Sequence, residues 1–222
     1  MIAGIVTQKV FDSILCKDCP SASLCDFFEL RYDTFKRDYG SLAAQLKEKM
    51  PDKPIIGTIR LPSDGGELSC QQSKDLIRLW SDVMHGDVRP EWVDCELENA
   101  KYLVEMFKTY GEKILISYHD WTELFPMDKA KELLGAVARY NADGVKLAVT
   151  GSGSFPEVVN FIHCLDYFEL SSAFVMGTGF TWTRYQSLRE GATLAYASLD
   201  GSNKYGTDTV ENMARALKKS PV

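Results

Sequence analysis

Lys146 stands in the segment ADGVKLAV, between Val145 and Leu147, inside an apolar run where a solvated lysine has no place. Burial there disfavours the ammonium, and nearby arginines add like-charge repulsion. The side chain is therefore predicted to carry a free amine able to attack a ketone or aldehyde and form a Schiff base. A lysine that snorkels to the end of its strand, or pairs with Glu29 or Glu96, is the alternative this segment alone leaves open. His119 follows the apolar run in ILISYHDW and shares a strand face with Leu115 and Ser117. A group that must both take and return a proton near neutral pH is most often histidine. His85 and His163 lie in helix-like surroundings and carry no such expectation.

Other ionisable residues recur at the ends of apolar runs. Glu29 and Arg31 are two apart in DFFELRYD and fall on one strand face, which Asp33 continues; Arg60 follows PIIGTI, Asp94 and Glu96 close WVDCEL, and Arg184 ends MGTGFTWTR. Eight runs of strand length would position them, at 2–6, 26–32, 54–59, 92–97, 114–118, 144–149, 172–176 and 193–197. Stretches with helical spacing of apolar and charged residues lie between them, at 39–50, 69–84, 100–110, 127–140, 155–165 and 208–219. This alternation predicts an α/β protein with a parallel sheet and crossover helices, and eight such units close a (β/α)8 TIM barrel. The 222 residues fit one such domain, without linker or composition break, so 1–222 is expected to fold as a single barrel. Active sites of these barrels sit at the C-terminal ends of the strands, where the ionisable residues collect.

Composition excludes several classes of function. Hydrophobic residues at 45% and charged residues at 25%, with 8 prolines, describe a globular chain rather than a disordered or fibrous one. A net charge of −6 with no basic block argues against nucleic acid as a partner. No apolar run approaches the length of a membrane span, and the start MIAGIVTQKVF lacks the regions of a signal peptide, so no membrane is expected and the chain is placed in the cytoplasm. Cys16, Cys19 and Cys25 in CKDCPSASLC look metal-like or redox-like, but no second Cys/His pair follows at zinc spacing, and they read as free thiols in a loop.

The segments ELRYD, GTIR followed by DGGE, VDCELE, SYHDW, ADGVKLAV and MGTGFTWTR stand in an order and spacing that resembles the type I 3-dehydroquinate dehydratases across nearly the whole chain. The resemblance implies a shikimate-pathway enzyme that removes water from 3-dehydroquinate, a small-molecule carboxylate, to give 3-dehydroshikimate with no metal or organic cofactor. It implies that Lys146 is the Schiff-base lysine and His119 the general acid/base. Glu29, Arg31 and Arg60 would contact the substrate's ring hydroxyls, and Arg184 would bind its carboxylate in the bidentate way guanidinium suits. The four cations Arg31, Arg60, Lys146 and Arg184 at one rim would attract an anion despite the overall charge.

The sequence departs from that pattern in places. The glutamate that orients the family's histidine falls, by count from Arg60, on Asp64, one methylene shorter. The lid over the substrate reads NKYGT, so Asn203 and Thr207 replace the usual serine and glutamine while Gly206 is kept. Thr183 precedes Arg184 in place of serine, and Trp121 and Tyr196 stand where phenylalanine is more usual. Another Schiff-base lyase or aldolase on the same barrel, or a non-catalytic relative with an altered lid, stays open at this point, as does the choice between monomer and homodimer.

Overall fold

Strand and helix alternate from one end of the chain to the other in the computed structural model, which describes residues 1–36, 38–69, 75–122, 124, 126–151, 154–163 and 168–218. The strands are β1 (Ile2–Val6), β2 (Phe27–Arg31), β3 (Ile55–Thr58), β4 (Trp92–Glu96), β5 (Lys113–Asp120), β6 (Gly144–Thr150), β7 (Leu170–Met176) and β8 (Ala195–Ser198). After each comes a helix: α1 (Gln8–Leu15), α2 (Leu42–Lys49), α3 (Leu76–Met84), α4 (Ala100–Tyr110), α5 (Met127–Ala138), α6 (Phe155–Ile162), α7 (Trp182–Arg189) and α8 (Val210–Lys218). All strand pairs are parallel, in the order β7-β6-β5-β4-β3-β2-β1-β8. The two ends of that order meet at their base, where the Leu194 N–H donates to Ser171 O at 3.0 Å and the Ser171 N–H to Thr193 Oγ1 at 2.8 Å. The expected (β/α)8 barrel is thereby formed, nearly closed.

A parallel barrel buries both faces of every strand, which is why the strands read as continuous apolar runs. β6 is buried at every residue from Gly144 to Val149, Lys146 included. The two-residue period then sorts side chains between two cores. Outward residues such as Leu30, Val93, Ile116 and Leu147 join the helices, while Ala3, Ile56, Trp92, Leu115 and Ala148 pack in the interior with Phe174 and Tyr196. Lys146, Glu29, Asp94 and Ser117 have the inward parity. The register sets Ser117 beside Lys146, and Thr58 beside both Arg31 and Asp94.

Two helices were not legible in the sequence. α1 is only two turns long, and its N-cap Thr7 makes no side-chain capping bond. α7 buries Thr183, Arg184 and Ser187 rather than an apolar stripe, so its first turn reads as a loop. The expected helices at 69–84 and 155–165 are seen from Leu76 and as far as Ile162, with 70–74 and 164–165 outside the described residues. Cys25 is a free thiol in the loop before β2, as expected, but not an exposed one. It is buried, so close to Gly4 that a Cβ there would lie 2.4 Å from its sulfur, and burial raises its pKa to about 12; Cys16 and Cys19 are free thiols. Cys70 and Cys164 fall outside the described residues.

Candidate active site

Arg60, just beyond β3, organises the polar centre of the barrel. Its Nη2 donates to Asp94 Oδ2 at 2.6 Å and its Nη1 to Ser117 Oγ at 3.0 Å, while Nη1 also meets Glu96. The Ser117 hydroxyl donates in turn to Asp94 Oδ1 at 2.6 Å. Burial alone would raise the Asp94 carboxyl, but the charges of Arg60 and Lys146 and the Ser117 hydrogen bond outweigh it and hold it below the ordinary carboxylate range. Gly66 lets the chain turn back over Arg60, since a Cβ there would lie 1.8 Å from the Arg60 carbonyl oxygen. Arg31 is clamped by Asp33, with Nε and Nη2 donating to its two oxygens at 2.9 and 2.8 Å.

Lys146 is 5% exposed. Its Nζ donates to Glu29 Oε1 at 3.2 Å and Asp94 Oδ2 at 3.5 Å, and lies 3.9 Å from the centroid of the Tyr196 ring. Of the two pairings the sequence left open, the contact with Glu29 forms; Asp94, not Glu96, is the second carboxylate. Burial is the largest influence on the amine and lowers its pKa from 10.5; Glu29 and Asp94 oppose this, and Arg60 and Arg31 add to it.

His119 sits on β5, next to the lysine's strand, and its ring stacks on Trp121 at 6.3 Å. Burial, then the charges of Arg60, Lys146 and Arg31, push its pKa well below 6.5, so the imidazole is neutral. Asp64 is not the residue that faces it. The carboxylate next to Nδ1 is Glu96, with Oε1 at 2.8 Å but off the line of a good hydrogen bond; the same oxygen meets Arg60 Nη1. Asp64 sits on the turn Pro62–Asp64, where the Ser63 hydroxyl donates to its Oδ2 at 2.9 Å; it reaches the cavity, not the imidazole, and burial raises its pKa.

Arg184 projects from the first turn of α7, which Thr183 ties to β7: the Val175 N–H donates to the Thr183 hydroxyl at 3.1 Å, and that hydroxyl donates to Phe180 O at 2.7 Å. The guanidinium lies over the Phe174 ring at 4.2 Å and donates to the carbonyls of Gly206 and Tyr205 at 2.9 and 3.2 Å. Burial lowers its pKa to about 10. The lid is thus tied to the arginine through its backbone. Gly206 is required at this contact, because a Cβ would fall 2.1 Å from Gly177 O. Thr207 lines the cavity with its hydroxyl donating to Lys204 O at 2.8 Å, whereas Asn203 is exposed and lies outside the cavity lining.

One cavity therefore gathers Glu29, Arg31, Arg60, Asp64, His119, Lys146, Arg184 and Thr207, and with them Trp121, Tyr196 and Tyr205. A sequence model of the family described as type I 3-dehydroquinase matches residues 9–221. The chain belongs to the type I 3-dehydroquinase family. It is accordingly a carbon–oxygen lyase of the 3-dehydroquinate dehydratase kind, an enzyme of the shikimate pathway. The 3-dehydroquinate dehydratase of Pyrococcus abyssi (strain GE5 / Orsay) is 29% identical over 220 residues, covering 98% of this chain and 97% of that protein. Crystal structures of the 3-dehydroquinate dehydratases from Aquifex aeolicus VF5 and Geobacillus kaustophilus HTA426 share the fold. They superpose with TM-scores of 0.79 and 0.82 at 24% and 19% identity, covering all of this chain and 99% and 92% of theirs.

The cavity of this dehydroquinase is marked by unsatisfied polar atoms. Four buried side-chain atoms of its lining residues make no hydrogen bond among the described residues: His119 Nδ1, Trp121 Nε1, Arg184 Nε and the Tyr196 hydroxyl. Folding normally satisfies such groups, so their gathering here marks a place built for a polar ligand. Among the described residues no helix is long and apolar enough to cross a membrane, and no group of three His, Cys, Asp or Glu residues could hold a metal ion.

The neutral His119 has a consequence for stability. As pH falls below about 6.5, the unfolded chain takes up a proton that the folded state refuses, so folding should weaken by up to about 1.4 kcal/mol per pH unit. Asp94 loses its contribution only further down, below the ordinary carboxylate range. Denaturant titrations of His119→Gln between pH 6.5 and 4.5 should show a flatter loss of stability than the unsubstituted enzyme. Equal slopes would mean that the folded state accepts the proton.

Proposed function

We propose that the dehydration runs through an imine on Lys146, with His119 moving the protons. The observation that carries this reading is a lysine held almost without exposure, its ammonium disfavoured by burial, in one cavity with a neutral imidazole. The amine attacks the ketone of 3-dehydroquinate, and loss of water leaves a protonated imine. That iminium draws electrons from the neighbouring carbon and acidifies its C–H, so a modest base suffices to remove the proton. His119 takes it, and the Glu96 carboxylate 2.8 Å away stabilises the resulting imidazolium. The enamine pair then expels the β-hydroxyl, His119 returns the proton to the departing oxygen, and hydrolysis of the imine frees both product and amine.

Binding follows from charge. Arg184 would exchange the carbonyl contacts of the lid for the substrate carboxylate, to which its unsatisfied Nε can also donate. Glu29, Arg31 and Arg60 would meet ring hydroxyls, while Asp33, Asp94 and Ser117 hold the two arginines in place. Incubation of the purified protein with 3-dehydroquinate should produce the ultraviolet absorbance of a conjugated unsaturated acid. A protein that binds the compound without that absorbance appearing would overturn the catalytic reading.

A further inference from the structure

Among the buried polar groups of the cavity that the mechanism above leaves unused is the Tyr196 hydroxyl. Tyr196, at the start of β8, is 3% exposed and points into the barrel beside Ala3, whose small side chain leaves room for the ring. Its ring face is 3.9 Å from Lys146 Nζ, and its hydroxyl, although buried, has no hydrogen-bond partner among the described residues. Leaving a buried phenol unpaired costs on the order of 1–3 kcal/mol, which a phenylalanine would avoid. The hydroxyl lies within the electrostatic reach of Glu29, Asp94 and Arg60 but bonds to none of them.

Resting on the imine reading, we propose that Tyr196 is a further catalytic residue, whose hydroxyl donates a hydrogen bond to the oxygen of the carbonyl that Lys146 attacks. The Nζ pair forms a bond to the carbonyl carbon while the C=O π pair moves onto oxygen. The proton lost by nitrogen ends on that oxygen to give the carbinolamine. Tyr196 stabilises the negative charge on the oxygen during this shift and keeps its own proton, as a donor that costs no reorganisation. Burial first, then Glu29 and Asp94, raises the phenol's pKa well above its usual 10, so it stays a donor throughout the working range. The ring face beneath Nζ also favours the cationic iminium that follows.

Tyr196→Phe keeps the ring and removes only the oxygen. Mixing enzyme with 3-dehydroquinate, sampling into borohydride at successive times and measuring adducted protein by intact mass gives the rate of imine formation directly. Tyr196→Phe should form the adduct roughly ten- to a hundredfold more slowly, the loss of one hydrogen bond to a developing charge, while its thermal midpoint rises and its final adduct yield stays unchanged. Adduct formation at the unsubstituted rate would overturn the proposal, as would a raised KM with that rate intact, which would make the hydroxyl a binding group only. Absence of any adduct in the unsubstituted enzyme would overturn the imine reading itself, and this proposal with it.

Discussion

Lys146→Met is expected to lose turnover by roughly a millionfold, the scale on which enzymes suffer when a covalent nucleophile is removed, and to form no borohydride-stable adduct with substrate. Methionine fills most of the volume of the lysine stem, so the interior keeps its packing. The electrostatic cost falls on Glu29, whose nearest remaining cation is Arg60 at 3.9 Å. Removing one partner of a buried pair costs about 3–5 kcal/mol when the other stays charged. Asp94 keeps Arg60 and Ser117. The variant should therefore fold with a lowered melting temperature and still bind substrate weakly through Arg184. Residual turnover within a hundredfold of the unsubstituted enzyme would remove Lys146 from the chemistry, whatever its stability.

His119→Ala should separate the two halves of the reaction. The amine can still condense with the ketone, because nucleophile and electrophile are both present, but no neutral base remains to take the proton from the adjacent carbon. Turnover should fall by about 10²- to 10⁴-fold while the adduct trapped by borohydride persists or increases. Trp121 loses its stacking partner in this variant. For that reason the comparison is made on the trapped fraction at saturating substrate rather than on KM. Loss of trapping together with turnover would assign His119 to substrate binding instead of proton transfer.

The strands were legible because a parallel barrel leaves an unmistakable trace. Each is a short apolar run, and an ionisable residue inside it or at its end can only point into the barrel or over its rim. Lys146 and His119 were found on that basis before any geometry. α7 was not, since the side chains it buries are Thr183, Arg184 and Ser187, held by hydrogen bonds and a ring face that no periodicity encodes. The partner of His119 was misplaced for a related reason. Counting along the chain from Arg60 leads to Asp64, whereas Glu96 comes from the neighbouring β4 and is brought to the imidazole by strand register. The lid contact with Arg184 is made by backbone carbonyls, so side-chain identity in NKYGT could signal only the glycine that permits the approach. Tyr196 carried a visible hydroxyl, but only the packing shows that it has no partner among the described residues.

The imine on Lys146 is the central claim, and one measurement reaches it without relying on a variant. The unsubstituted enzyme, turning over 3-dehydroquinate, is treated with borohydride, digested, and its peptides are mapped by mass. A covalent adduct with the mass of the reduced substrate or product imine, on the peptide bearing Lys146 and with matching loss of activity, is the predicted result. An enzyme that dehydrates 3-dehydroquinate yet yields no adduct, or yields it on another lysine, would contradict the account.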